Sequence, residues 1–352
     1  MKFTVNRNDI ACAVTHSVHG IPNNPVTPIY AGMRIETRTG SVIFSGCDGD
    51  VTFDASTLGD TSEDETIIVP GKLFTEVIRT LPDMDVSFTS EDNTAVLTCG
   101  RGVFKFPVYK DVYPDLPLEA NILGEIDADV FLDAFRKVMP ACAKTDSNPA
   151  LTAVLLEPTG ENLLMAATDR YRLATVETTW TPTDPCEPVL LPAWAVERFL
   201  RAAEGTVSLG WDDRVVSLAS GVLRATGRRM QGEFPQWRAL MPTVPCDVTV
   251  NTGALMGALK RAQLAAEQDS PVELSFTNGS LKVSAGYGNR AEDVLDTSYN
   301  GPGFTALFGV SRLMDGLAGC TDMVGFGFTE PLKPVWLQSG DFNYTVLPRR
   351  RI

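Results

Sequence analysis

The chain has no run near the ~18 consecutive apolar residues of a transmembrane helix. Its N-terminus, MKFTVNRNDIACAVTH, has no signal-peptide apolar core, so nothing points to export and a cytoplasmic location is expected. Histidine is nearly absent: only His16 and His19 could serve a histidine-based catalytic or metal site. The seven cysteines, Cys12, Cys47, Cys99, Cys142, Cys186, Cys246 and Cys320, are odd in number and form no CxxC. That argues against a disulfide scaffold and a zinc ribbon, and fits reduced thiols. Positive charge is also scarce, with 30 Lys and Arg against 44 Asp and Glu, a formal charge of −14. Such a balance argues against a protein coated in positive charge for nucleic acid, but leaves room for one basic face.

What remains is an ordinary globular composition, 44% hydrophobic and 21% charged over 352 residues, enough for two or three domains. Three segments read as the first helix of a repeated unit: Asn6 to Val18, Asp127 to Val138 and Asn251 to Gln263. Each opens on Asn or Asp, whose side chain can accept an orphan backbone N–H, and then spaces apolar residues helically. A second helix follows each, from Pro70-Gly71-Lys72, from Pro192-Ala193-Trp194 and from Val310-Ser311-Arg312. The prolines are tolerated because the first helical N–H groups have no partner.

Runs with a period of two lie between the helices: 41–44, 85–88, 94–97, 103–106, 206–209, 215–218, 272–276 and 281–283. They predict antiparallel sheets with one wet face. Asn278-Gly279 signals a hairpin turn. Tyr113-Pro114 closes the first unit and Phe234-Pro235-Gln236-Trp237 the second, about 121 residues apart. The expectation is an α+β protein of three similar domains, 1–119, 122–243 and 246–352, each with two helices packed on antiparallel sheet.

Helices expected over 7–20, 71–81, 127–144, 193–203, 251–263 and 310–319 carry eleven basic residues. These are Arg7, Lys72, Arg79, Arg136, Lys137, Lys144, Arg198, Arg201, Lys260, Arg261 and Arg312. Seven acids share those spans, so the helices stand at +4 and the remainder at −18. Part of this follows from basic residues favouring the last helical turn, opposite the macrodipole. The other reading is that the helices share a surface facing a polyanion and touch phosphates without reading bases.

The string Ala167-Thr168-Asp169-Arg170-Tyr171-Arg172-Leu173-Ala174 is the most distinctive in the chain. Together with Gly-Glu-Phe-Pro-Gln-Trp at 232–237 and the terminal Tyr344-Thr345-Val346-Leu347-Pro348-Arg349-Arg350, it resembles the bacterial DNA polymerase III beta subunit (sliding clamp) family. The resemblance runs over essentially the whole chain. It implies a head-to-tail homodimer forming a ring, with helices lining the hole and sheets at the rim. Duplex DNA would be enclosed without regard to sequence, and the protein would be nucleoid-associated. Implied partners are the polymerase III alpha subunit, other polymerases and a clamp loader ATPase; no cofactor is implied.

The resemblance also implies a groove for partner peptides, at Leu151, Thr168, Arg170, Tyr171, Arg172, Leu173, Pro235, Leu240, Pro334, Val346, Leu347, Pro348 and Arg349. Apolar residues there would bury a peptide's anchors while a few polar groups orient it. The alternative for most of them is ordinary packing. Ring closure maps to Phe104 and Leu264, for which the alternative is a place in the core. Two departures stand out. Near Asn24 the chain lacks an arginine that would meet DNA. The tail Arg349-Arg350-Arg351-Ile352 replaces an apolar residue, an arginine and a leucine. A charge at Arg349 fits a phage clamp, or a second clamp copy that evades a groove-binding inhibitor.

Two other readings compete. An enzyme would have to use carboxylates, such as Asp169 beside Arg170 and Arg172, or a cation held by Asp48, Asp50 and Asp54. Neither set has a matching base or a known ligand spacing. The loop Asn300-Gly301-Pro302-Gly303 lacks the Lys and Ser/Thr of a P-loop. A monomeric peptide-binding scaffold of the same fold would lack the need for Phe104, Leu264 and the basic helices.

Overall fold

Three short polar side chains start three helices. In the computed structural model, Asn6 accepts the N–H of Asn8 at 2.9 Å, Asp127 that of Asp129 at 3.0 Å, and Asn251 that of Ala254 at 2.8 Å. Each such cap contributes about 1 kcal/mol. The structure describes residues 1–117, 119–145, 147–241, 244–265, 270–285 and 291–350. Six α-helices occur among them: α1 Arg7–Ser17, α2 Gly71–Thr80, α3 Ala128–Val138, α4 Ala193–Leu200, α5 Thr252–Ala265 and α6 Val310–Leu317.

Several helices end earlier than the sequence predicts. After α3 the chain tightens into a 3-10 turn, Met139–Ala141, because Pro140 cannot donate the next helical hydrogen bond. Lys144, expected on that helix, therefore lies beyond it. After α4 the N–H of Ala202 bonds back only three residues, to Phe199 at 3.0 Å, and Gly205 follows with φ of +66°. Arg201 sits in that turn and not on the helix. With these bounds the helices carry nine basic and six acidic residues, a smaller excess of the same sign.

All the period-two runs form antiparallel strands, and Gly279 takes a φ of +73° in the hairpin between Val272–Thr277 and Ser280–Ala285. Among the described residues four sheets result, of five, nine, eight and four strands. Two compact units hold them, and the middle repeat is divided between the two. The first unit is 1–129, 181–185 and 194–229. In its nine-stranded sheet, Val51–Leu58 of the first repeat pairs with Leu223–Arg228 of the middle repeat, Phe53 opposite Ala225. The second unit is 130–180, 186–193 and 230–352. In its eight-stranded sheet, Arg172–Thr179 of the middle repeat pairs with Phe342–Val346 of the last, Leu173 opposite Thr345. Backbone hydrogen bonds thus continue across both repeat junctions, which is why compactness does not follow the repeats.

Aromatic side chains fill the first unit's core. Phe3 stacks on Phe88 at 4.7 Å and Phe74 meets Phe106 edge-on at 5.3 Å. His16 is buried between the rings of Phe53 and Phe199, with Nε2 2.8 Å from the Arg224 carbonyl. Burial lowers its pKa to about 4, so the ring is neutral and Nε2–H donates. In the second unit Phe304 stacks on Phe328 at 4.0 Å, with Phe276 beside both. No disulfide joins any of the seven cysteines among the described residues, and burial pushes the Cys142, Cys246 and Cys320 thiols up to about 12. Among the described residues, no helix is long and apolar enough to cross a membrane.

Candidate functional site

The ATDRYRLA string is a strand, a tight turn and a second strand. Asp169 makes the turn: its Oδ1 accepts the N–H groups of Tyr171 at 2.9 Å and Arg172 at 3.1 Å. Thr168 Oγ1 donates to the Arg172 carbonyl at 2.6 Å and accepts the Arg170 N–H at 3.1 Å. These bonds hold Arg170 at a φ of +74°, a left-handed conformation costly for any residue but glycine.

The turn's other end is ionic. Arg172 Nε donates to Asp169 Oδ2 at 3.0 Å while its Nη1 donates to Asp315 on α6. Arg312, also on α6, lies 4.3 Å above the Tyr171 ring and 3.9 Å from Asp169. The Tyr344 hydroxyl donates to the Arg312 carbonyl at 2.6 Å. One helix face, one turn and the last strand are thereby locked together. Arg312, grouped by sequence with the phosphate-facing residues, belongs to this cluster.

Beside the cluster lies an apolar floor. Leu173 is buried with Ala150, Ala153, Leu155, Ala166, Leu190 and Trp237, and Phe234 and Met241 pack against them. Leu347 donates its N–H to the Tyr171 carbonyl at 2.9 Å, and Val346 pairs with both Arg172 and Val335, next to Pro334. The structure therefore brings the thirteen expected groove residues into one region of the second unit, where they take different places. Leu151, Thr168, Leu173 and Val346 are buried as floor; Arg172, Pro235, Pro334, Pro348 and Arg349 are half-buried; Arg170, Tyr171, Leu240 and Leu347 are exposed. Leu173 and Trp237 thus pack as core in the free chain. The Arg349 N–H bonds the Leu307 carbonyl at 2.6 Å, and its side chain lies over Gly309, the residue before α6. Trp237, Met241 and Asp315 were not singled out by sequence. Trp237 was readable from the aromatic closure, while Asp315 carries no local signal.

Several basic candidates are occupied by neighbours. Lys72 Nζ donates to the Pro22 carbonyl and to Asn23 Oδ1, each at 2.8 Å. Arg79 donates to Thr15 at 3.1 Å, Arg7 to the Arg79 carbonyl at 2.8 Å, and Arg198 lies over Trp194 at 5.0 Å. Lys137 pairs with Asp133, Arg201 with Glu197, and Arg261 with both oxygens of Asp293. Arg136 and Lys260 are exposed and form no ion pair among the described residues. Phe104 is half-buried on Gly102–Pro107, an outer strand of its sheet, and Leu264 in the last turn of α5 is 88% exposed, so neither is a core residue.

The carboxylates raised for catalysis do not converge. Asp48 caps its own loop through the N–H groups of Asp50 and Val51. No group of three His, Cys, Asp or Glu that could hold a metal occurs among the described residues.

Three sheet-and-helix repeats sharing their junction strands define a DNA clamp fold. The DNA polymerase III subunit beta of Pseudomonas aeruginosa superposes over 100% of both chains with a TM-score of 0.93 at 22% identity. The chain is 30% identical over 375 residues to the beta sliding clamp of Streptomyces coelicolor, covering 99% of each. It is 31% identical over 299 residues to that of Micrococcus luteus, covering 83% of this chain and 96% of that one. Models of the N-terminal, central and C-terminal domains of the DNA polymerase III beta subunit match residues 1–117, 125–236 and 238–350. The chain belongs to the DNA polymerase III beta subunit family, and its general function is that of a replication processivity clamp.

Proposed function

We propose that two copies close head to tail into a ring around duplex DNA, and that the Leu173 groove tethers polymerases to it. The observation that carries the ring is a pair of open sheet edges of opposite charge. Gly102–Pro107 ends its sheet with exposed Arg101, Val103 and Lys105 around Phe104. Ala291–Asp296 ends another with exposed Glu292, Val294 and Asp296, beside α5 and Leu264. Unpaired strand edges left exposed invite pairing, and complementary charge selects this partner over self-pairing of either edge. The repeats, taken as 1–119, 122–243 and 246–352, then make a ring of six. The helices' basic residues other than Arg312 face phosphates inside, exchanging contacts as the ring slides. The acidic remainder discourages DNA from binding elsewhere.

The groove supports tethering of the polymerase III alpha subunit, of other polymerases and of the loader ATPase that opens the ring. Its floor is apolar, and Arg170, Tyr171 and Leu347 supply exposed edges for orientation. With the Arg349 side chain over Gly309, the floor around Leu173 stays apolar, which favours a working groove. Arg351 and Ile352 lie outside the described residues.

Native mass measurement tests closure. The expected value is near twice 38.1 kDa, falling to the monomer in Phe104→Asp and Leu264→Asp. With a loader, the protein should stay on nicked circular DNA and leave when the circle is cut. A monomer in the wild type, or retention on unblocked linear DNA, contradicts the ring.

A further inference from the structure

The first unit holds a cavity of about 1160 Å³ on the nine-stranded sheet. It occupies the counterpart, in the first repeat, of the Leu173 groove. Strand register sets the equivalence. Arg34 pairs with Ser45 and with Ile68, as Leu155 pairs with Ala166 and with Leu190. Ser45 pairs with Asp54, as Ala166 pairs with Thr175. The apolar clusters correspond as well: Ile29, Ile68, Tyr113 and Leu116 hold the places of Ala150, Leu190, Phe234 and Trp237. The lining, however, is changed. Arg34 replaces Leu155, Ser45 replaces Ala166, and Asp54 replaces Thr175.

Asp54 is the informative residue. Its carboxyl lines the cavity, is half-buried and desolvated by its surroundings, and has no hydrogen bond or ion pair with any described residue. The nearby cations are committed elsewhere. Arg34 pairs with Glu36 at 2.6 Å. Arg224, opposite Asp54 on the next strand, pairs with Glu119 at 3.5 Å and donates to the carbonyls of Gly221 and Leu223. A buried carboxylate without a partner is unfavourable, and surroundings that leave it so are suited to a cation brought from outside. Tyr109, Tyr113 and Ile68 supply apolar wall next to it. The volume exceeds the ~300–1,000 Å³ of small-molecule pockets, and suits several residues of peptide.

We propose that this cavity is a second docking site, taking a partner peptide that sets a lysine or arginine against Asp54 and an apolar side chain against Tyr109 and Tyr113. The choice of a peptide as occupant rests on the peptide-binding reading of the Leu173 groove. Burial, with Glu119 adding to it and Arg224 and Arg34 opposing, raises the Asp54 pKa to about 7. Binding of a cation therefore drives off a proton, and affinity rises with pH from 6 to 8.

The test is a titration of the full-length protein with fluorescein-labelled tetrapeptides, leucine-x-leucine-phenylalanine, with x each of the twenty amino acids. The lysine and arginine peptides should bind at least tenfold tighter than the glutamine peptide. That preference should vanish in Asp54→Asn, fall about tenfold from pH 8 to pH 6, and persist in Leu173→Ala. No basic preference in the wild type, or the same preference in Asp54→Asn, overturns the proposal. Failure of the groove reading is separate: an apolar clamp-binding peptide would then bind wild type and Leu173→Ala alike, whatever the tetrapeptides do.

Discussion

The Leu173 groove and the Asp54 cavity are built on one frame with opposite chemistry. In each, a 3-10 turn leads into a strand, that strand pairs with two neighbours, and an aromatic from the repeat's closing segment caps the floor. In each, the outer strand pairs with a strand of the following repeat. At the Leu173 junction the positions over the floor are Leu155 and Ala166, and the charges are gathered to one side in a closed set, Arg172 with Asp169 and Asp315. At the Asp54 junction the charges lie within the cavity itself and one of them is left unpaired. Backbone pairing is thus a property of the repeat, while what each junction can bind is decided by a few inward side chains.

Removing the groove's central cation should have the largest effect. Arg172 is 11% exposed and holds Asp169, itself 14% exposed. Arg172→Ala takes the cation from Asp315 and leaves Asp169 only Arg312 at 3.9 Å, and should cost about 3–5 kcal/mol in urea unfolding. A loss below 1 kcal/mol would mean that the cluster does not hold the turn to α6.

The matching change at the other junction should have the opposite sign. The folded Asp54 pKa of about 7 lies above the unfolded value near 3.8. The wild type therefore loses stability as pH rises from about 4 to 7, and carries the full penalty above 7. Asp54→Asn should stabilise by up to about 4 kcal/mol at pH 8 and by nothing near pH 3. Thermal melts across that range check it; destabilisation at pH 8 would show that Asp54 has a partner in the free chain.

His16 sharpens the comparison from behind the cavity, since it bonds the carbonyl of Arg224. Its folded pKa of about 4 lies below the ordinary 6.5. The stability of its neutral form is complete above pH 6.5 and is lost as pH falls toward 4. His16→Gln should flatten that part of the pH–stability curve, and an unchanged slope would place the acid sensitivity elsewhere.

The smallest effects test the repeat. Asn6→Ala, Asp127→Ala and Asn251→Ala should each cost about 1 kcal/mol, since each removes the same kind of cap. A cost confined to one of the three, in parallel urea titrations, would break the equivalence of the three helix starts.

The caps, the proline-led helices and the alternating strands were legible because each rests on residues a few positions apart. The helix ends at Val138 and Leu200 were read too far because apolar spacing outweighed Pro140 and Gly205. Most of the groove was legible through the ATDRYRLA string and the terminal strand. The meeting of Arg312 with Tyr171 was not, since it depends on strand pairing across the chain. Asp54 was raised only as a cation ligand with Asp48 and Asp50, and nothing local marked it as facing a cavity: in Thr52-Phe53-Asp54-Ala55-Ser56 it reads as one polar residue on the wet face of a strand. Only the closing segment around Tyr113 and the next repeat's Arg224 make that face an interior.

The most direct measurement is a competition. A clamp-binding peptide with apolar anchors is bound to saturation, and the labelled leucine-lysine-leucine-phenylalanine peptide and its glutamine counterpart are then titrated in. The account predicts that with the Leu173 groove filled the tetrapeptide still prefers lysine over glutamine at least tenfold, because that preference belongs to the Asp54 junction. Loss of the preference when the groove is filled would mean a single site, and would contradict it.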